Sequence, residues 1–250
     1  WFDVTWGSAD FSASRRLLAY RPQPAADREL VWLDRSGRVV GTLGAGGRCQ
    51  DPDLSPDGSR IVVARADAPE ASHLWMFDVA RGSSARFAPE VPDARAPLWS
   101  RDGRHVYYTA VEPKGVHVFE RLADGVASGR ELATDALVNL LYDVAPDGRS
   151  LVLDRWGENG LGGLFVLPLE GDRRLRPVSE TPFMEGWGRF SPDGRWLAYV
   201  YSEGTGGSEV LVQPFPATGE RWQVSASGGG YPVWRADGRE LFYLGGGKLH

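Results

Sequence analysis

The chain has little with which to cross-link itself or to hold a soft metal. Cys49 is its one cysteine, so no internal disulfide can form and a metal site built on cysteines is excluded. Such a composition fits a cytoplasmic home or a disulfide-free extracytoplasmic one. Lysine is nearly absent too: Lys114 and Lys248 are the only two among 28 basic residues, the acids number 33, and the net charge is −5. The arginines are interspersed with acids and form no basic run, which argues against a nucleic-acid partner. No apolar run reaches the roughly 20 residues that cross a bilayer, and no signal peptide is present, so this stretch does not itself insert into a membrane. Helical periodicity is missing throughout. There is no Gly-x-Ser-x-Gly elbow for a serine hydrolase.

What the chain has in quantity is turn residues and aromatics. The 32 glycines and 17 prolines are spread as punctuation, and ten tryptophans can fill a sizeable core, which excludes a disordered chain. The punctuation is periodic. Asp-Gly occurs at Asp57, Asp102, Asp147, Asp193 and Asp237, with successive copies 45, 45, 46 and 44 residues apart. A degenerate copy near residue 14 opens the chain, where Phe11 to Tyr20 aligns with Phe190 to Tyr199 and Ser14-Arg15 replaces Asp-Gly. A fixed period in the forties marks a repeat architecture.

Each copy carries the same local pattern. Three residues before the turn Asp or its equivalent stands Phe11, Leu54, Trp99, Val144, Phe190 or Trp234. Apolar residues also follow four and six positions after it, as in Leu197 and Tyr199, and such spacing places both on one face of a strand. Asp-Gly between two strand-like runs predicts a hairpin closed by a tight primed turn. Two further strands follow in each period. The third strands are expected at Glu29 to Asp34, His73 to Asp78, Val116 to Glu120, Gly163 to Leu167 and Glu209 to Phe215. The fourth are expected at Val39 to Leu43, Ala85 to Ala88, Arg130 to Ala133, Leu175 to Val178 and Arg221 to Val224.

Four short strands per period define the blade of a β-propeller. The expected fold is therefore all-β, one propeller domain over 1–250 with four-stranded antiparallel blades, six in number. Five are near-complete and a partial sixth ends after its second strand, Leu241 to Leu244. The chain reads as a fragment of a longer protein, in which either further blades or an N-terminal strand at Phe2 to Trp6 would close the ring.

In that geometry the turn hairpins share one face, and the longer, irregular loops share the other, where binding is expected. Three groups of residues are candidates for chemistry. First strands line the channel of a propeller, and the position four before each turn Asp holds Asp10, Asp53, Leu98, Asp143, Arg189 and Val233. The charged members, Asp10, Asp53, Asp143 and Arg189, would either coat the channel mouth and focus a field on a charged ligand or bond main-chain amides and tie blades together. Trp6, Tyr142, Trp187 and Tyr231 lie near interblade loops, where such rings either anchor a partner or wedge between blades. Asp51-Pro52-Asp53 hints at a calcium loop but departs from the EF-hand pattern, and reads as a solvated interblade loop. His73, His105, His117 and His250 fall in different repeats, so no catalytic residue, metal site or cofactor is expected.

The repeat resembles the TolB-like family of β-propellers, whose blades carry Ser-Pro-Asp-Gly at the first hairpin. The match covers essentially the whole chain. It is strongest at Leu54 to Gly58 and Phe190 to Gly194, and weaker at Ser100 to Gly103, Ala145 to Gly148 and Arg235 to Gly238. Two segments are similar to propellers that follow a transmembrane segment in certain bacterial serine/threonine kinases: Phe11 to Tyr20 with Leu30 to Gly37, and Gln213 to Pro216 leading into Gly230 to Trp234. The resemblance implies a non-enzymatic, extracytoplasmic sensor or docking domain for a protein, peptide or small ligand. It leaves two alternatives: a substrate-gating propeller of a serine peptidase, and a free-standing periplasmic TolB-like protein.

Overall fold

The computed structural model describes residues 11–13, 18–20, 30–33, 38–43, 48–68, 71–113, 115–156, 162–179, 181–204, 207–246 and 248–250. The expectations for Phe2 to Trp6, Asp10 and the Ser14-Arg15 turn lie outside them. The chain forms two compact units, Trp1–Pro97 and Leu98–His250.

Each repeat folds as an antiparallel meander. The first sheet is β1 (Phe11–Ala13), β2 (Leu18–Tyr20), β3 (Leu30–Leu33) and β4 (Val39–Leu43). The second is β5 (Arg48–Leu54), β6 (Arg60–Ala68), β7 (Ala71–Asp78) and β8 (Ser84–Phe87). The third is β9 (Ala94–Trp99), β10 (His105–Glu112), β11 (Gly115–Leu122) and β12 (Arg130–Asp135). The fourth is β13 (Val138–Val144), β14 (Ser150–Trp156), β15 (Gly162–Pro168) and β16 (Arg176–Pro177). The fifth is β17 (Met184–Phe190), β18 (Trp196–Ser202), β19 (Ser208–Pro214) and β20 (Trp222–Gln223). The last described sheet has three strands, β21 (Gly230–Trp234), β22 (Leu241–Gly245) and β23 (Lys248–Leu249). The fold is thus an all-β propeller with four-stranded antiparallel blades. The final repeat reaches one strand further than the sequence pattern indicated, because Leu249 and Lys248 pair with Leu244 and Gly245.

In the second to fifth blades the second strand carries the longest run of buried residues. Ile61, Val62 and Val63 on β6, and Leu151, Val152 and Leu153 on β14, are all fully buried. Burial on both faces explains why these strands read as unbroken apolar runs rather than alternating ones. In the first unit, Leu30, Cys49, Ile61, Val63 and Phe77 pack together, flanked by Trp32, Leu54 and Trp75. In the second, Tyr142, Val152, Leu164 and Val166 of the fourth blade meet Phe190, Leu197, Tyr199 and Leu211 of the fifth.

The hairpin at the repeat signature differs from the expected primed turn. Gly58 N–H donates to Ser55 O at 2.8 Å, and only Gly58 has positive φ, at 73°. Ser55 to Gly58 is therefore an ordinary turn with its left-handed residue last. Pro56, with φ held near −65°, fits the second position of such a turn. Side chains lock it: Ser55 Oγ donates to Asp57 Oδ1 at 2.6 Å while accepting from Arg60 N–H at 2.9 Å. Ser100 with Asp102 and Ser191 with Asp193 repeat this bond at 2.6 Å. Ala145 replaces the serine in the fourth blade, and there Asp147 keeps the bond from Arg149 N–H at 2.9 Å.

Candidate functional site

The first strands of the second unit carry the candidate residues, and a recurring irregularity aims them. On β17, Gly186 pairs with Val200 and Arg189 with Ala198, so Trp187 and Gly188 together face the single residue Tyr199. The extra residue is a β-bulge, which bends the strand and re-aims its side chains. Trp187 occupies it with φ of 54°. Tyr231 does the same on β21 with φ of 57°, between the pairs Gly230–Leu244 and Val233–Phe242. Both stand six residues before their turn Asp. So do Asp51 on β5 and Ala96 on β9, each with φ of 48°. Asp51-Pro52-Asp53 is therefore part of a strand and not the expected solvated loop, with Pro52 buried.

The bulges bring three of the sequence-predicted aromatics together. The Trp187 ring lies 6.0 Å from that of Tyr142 and 5.5 Å from that of Tyr231, the latter nearly perpendicular. The row crosses three consecutive blades. Tyr142 is buried, whereas Trp187 and Tyr231 are part-exposed. Gly188 permits the close approach: a Cβ there would stand 2.9 Å from Val152 Cγ2 and 3.3 Å from Leu164 Cδ1.

The charged candidates are engaged differently. Asp143 accepts from Arg101 Nη2 at 2.8 Å, from Val144 N–H at 2.9 Å and from Phe190 N–H at 2.9 Å. It thereby links the third, fourth and fifth blades. Arg189 Nη1 donates to Tyr142 O, and the Arg189 carbonyl accepts from Trp234 Nε1 at 3.1 Å. Asp53 sits in the first unit, part-exposed on β5 opposite Val62. Asp10 lies outside the described residues.

Two buried carboxylates behind the aromatic row were not singled out from sequence. Asp154 is 1% exposed and accepts from Leu140 N–H at 2.7 Å, Tyr142 OH at 2.8 Å and Trp156 Nε1 at 2.5 Å. It fixes the Tyr142 ring in place. Its one sequence signal is a charge interrupting the run Leu151-Val152-Leu153. Glu185, also 1% exposed, accepts from the hydroxyls of Ser179 at 2.7 Å and Thr181 at 3.2 Å. Burial, followed by the nearby Glu185 carboxylate, pushes the Tyr199 phenol up to about 12, so this residue facing the bulge stays neutral.

The histidines remain scattered. His117 Nδ1 lies 3.0 Å from Thr134 Oγ1 and 3.3 Å from Glu131 Oε1, and its Nε2 is 3.7 Å from Glu112. The Thr134 hydroxyl first, and then His117, holds the Glu131 carboxyl below its usual range. Among the described residues, no three His, Cys, Asp or Glu side chains are grouped to hold a metal ion. No helix there is long and apolar enough to cross a membrane.

Blade topology and the row of bulged first strands define a propeller whose polar and aromatic side chains are displayed from a rigid sheet framework. Solved structures share this fold, TolB-like propellers among them. A protein described as TolB from Agrobacterium tumefaciens superposes with a TM-score of 0.77 at 16% identity, covering 95% of this chain and 90% of that one. TolB from Acinetobacter baumannii gives 0.74 at 16% identity over 91% of this chain, which spans only 57% of that protein's length. Hydrazine synthase from Kuenenia stuttgartiensis gives 0.66 at 14% identity, over 95% of this chain and 73% of that one. At these identities the likeness is one of fold. No family profile matches the chain, and no curated protein matches it.

Proposed function

We propose that this chain is a non-enzymatic recognition module, part of a six-bladed propeller, serving as the extracytoplasmic sensor or docking domain of a membrane-associated bacterial serine/threonine kinase. The observation that carries the binding role is the aromatic row. Trp187 and Tyr231 are bulky residues held in a left-handed backbone conformation that costs each of them on the order of 1 kcal/mol. They remain part-exposed beside the Arg189 strand. Rings presented in this way suit a protein, peptide or small ligand. The kinase assignment rests on the resemblance of Phe11 to Tyr20 with Leu30 to Gly37, and of Gln213 to Pro216 leading into Gly230 to Trp234. A free-standing TolB-like protein is the second reading, favoured by the 90% coverage of the Agrobacterium protein.

Sequencing the flanking coding region in both directions tests the assignment. A kinase domain and one apolar span of about 20 residues upstream are expected. A neighbouring hydrolase with a Gly-x-Ser-x-Gly elbow would overturn it in favour of a peptidase gate. A signal peptide with little else would favour the free-standing protein.

A further inference from the structure

Arg189 is incompletely satisfied by the fold that holds it. A guanidinium has five N–H donors. Arg189 is part-buried; among the described residues its one protein acceptor is Tyr142 O, and no carboxylate lies within ion-pair distance. Asp143, on the adjoining first strand, does not compensate it, since its oxygens are taken by Arg101, Val144 N–H and Phe190 N–H. Two guanidiniums bond carbonyls of β13: Arg101, on Val144 O, is also paired with Asp143, whereas Arg189, on Tyr142 O, is paired with no carboxylate among the described residues. Arg189 donates to the carbonyl of Tyr142, whose ring lies 6.0 Å from that of Trp187, and the Trp187 ring is 5.5 Å from that of Tyr231.

We propose that Arg189, Trp187 and Tyr231 form a carboxylate-accepting site for a short peptide. The guanidinium takes the carboxylate, and the two perpendicular rings take the apolar side chain next to it. The site deepens the recognition-module reading and rests on it. A carboxylate is favoured over a phosphate because Arg189 is the one of these two guanidiniums with no carboxylate partner among the described residues, matching one negative charge in a planar fork. Arg101, the other cation at hand, is committed to Asp143. The Trp234 indole bond to the Arg189 carbonyl holds the strand in place before any ligand arrives, which lowers the ordering cost of binding.

The test uses the whole chain labelled with fluorotryptophan, the Trp187 fluorine signal being assigned by its loss in Trp187→Phe. Three probes are titrated: N-acetyl-glycyl-phenylalanine with a free carboxylate, its C-terminal amide, and N-acetyl-aspartyl-phenylalanine amide. At least one carboxylate should shift the Trp187 signal saturably and bind about tenfold or more tightly than the neutral amide. Which of the two does so tells whether a chain terminus or an acidic side chain is recognised. Arg189→Gln keeps a donor for Tyr142 O and should remove the preference. Arg189→Lys, which keeps the charge without the fork, should retain part of it and serves if the glutamine variant does not fold. Equal binding of the neutral amide, an unmoved Trp187 signal with all three probes, or an undiminished preference in Arg189→Gln would overturn the site. If the probes fail while an upstream kinase and membrane span are found, this site falls and the sensor reading stands.

Discussion

Asp154→Asn should destabilise the second unit strongly, and the amount can be worked from three hydrogen bonds. The Asp154 carboxylate offers Oδ1 to Leu140 N–H, and Oδ2 to both Tyr142 OH and Trp156 Nε1. At 1% exposure, water cannot replace any of them. Asparagine presents one oxygen and one NH2 group in the same space. If its oxygen faces Leu140, the NH2 meets the Trp156 indole N–H, which can only donate. If it is turned over, the NH2 meets the Leu140 N–H. Either way one buried donor faces a donor, costing about 1–3 kcal/mol, and the remaining bonds lose their charge assistance, for a total of about 3 kcal/mol. For a unit of this size that lowers Tm by roughly 6–12 °C. Tyr142→Phe removes one donor and leaves the carboxylate its others, so it should cost only about 1 kcal/mol. Thermal unfolding followed by tryptophan fluorescence measures both variants. An asparagine variant within a degree of the parent, or a phenylalanine variant as damaging as the asparagine one, would refute the assignment of Asp154 as the acceptor that orients this cluster.

Gly188→Ala should also destabilise, by about 1–3 kcal/mol, because its Cβ would stand 2.9 Å from Val152 Cγ2 in a fully buried position; urea unfolding reads it, and an unchanged midpoint would mean the blades can part there freely. Asp143→Ala leaves Phe190 N–H without its acceptor and Arg101 without its carboxylate, and should cost about 2 kcal/mol; Arg101→Ala in the same background then loses only the bonds to Val144 O and should cost less than it does in the parent, a coupling that a double-mutant cycle measures. Asp57 is held at about 2 against an ordinary 3.8, chiefly by the Ser55 hydroxyl and then by Ser59 N–H. A carboxylate depressed in the fold adds stability that is complete above pH 3.8 and lost as pH falls toward about 2. Ser55→Ala should therefore raise the Asp57 midpoint toward 3.8, as carbon NMR of the carboxylate would show; a midpoint that stays put would assign the shift to the main chain instead.

The blades were legible in the sequence because their signals are local. Ser-Pro-Asp-Gly is a self-contained turn whose serine and aspartate bond each other at 2.6 Å, so it marks the hairpin wherever it occurs. Second strands are sandwiched on both faces and appear as apolar runs such as Leu151-Val152-Leu153. Third strands were placed to within two residues at either end, since Gly-bearing turns bound them. First strands were placed poorly, and the reason is physical. A bulge six residues before the turn inserts an extra residue, so side chains before and after it no longer alternate in one phase. β5 begins at Arg48 and β17 at Met184, both ahead of their bulges, where polar, charged and glycine residues such as Arg48, Gln50, Glu185 and Gly186 give no apolar alternation.

The same bulge separates what could be read of the site from what could not. Tyr142, Trp187 and Tyr231 stood out by residue type and by their distance from the turns, but their convergence depends on a backbone conformation that the sequence argues against. Left-handed φ favours glycine or asparagine, and β17 offers glycine on both sides of Trp187, at Gly186 and Gly188. The fold nevertheless places tryptophan at the strained position and uses Gly188 for close packing against Val152 and Leu164. In the first unit the equivalent position holds Asp51, a residue that tolerates this conformation, which shows that the bulge itself belongs to the architecture and needs no ring. The rings at Trp187 and Tyr231 are thus additions to a scaffold that is complete without them. Their contacts with Tyr142 and with each other repay part of the strain. Their remaining exposure is what packing alone does not require.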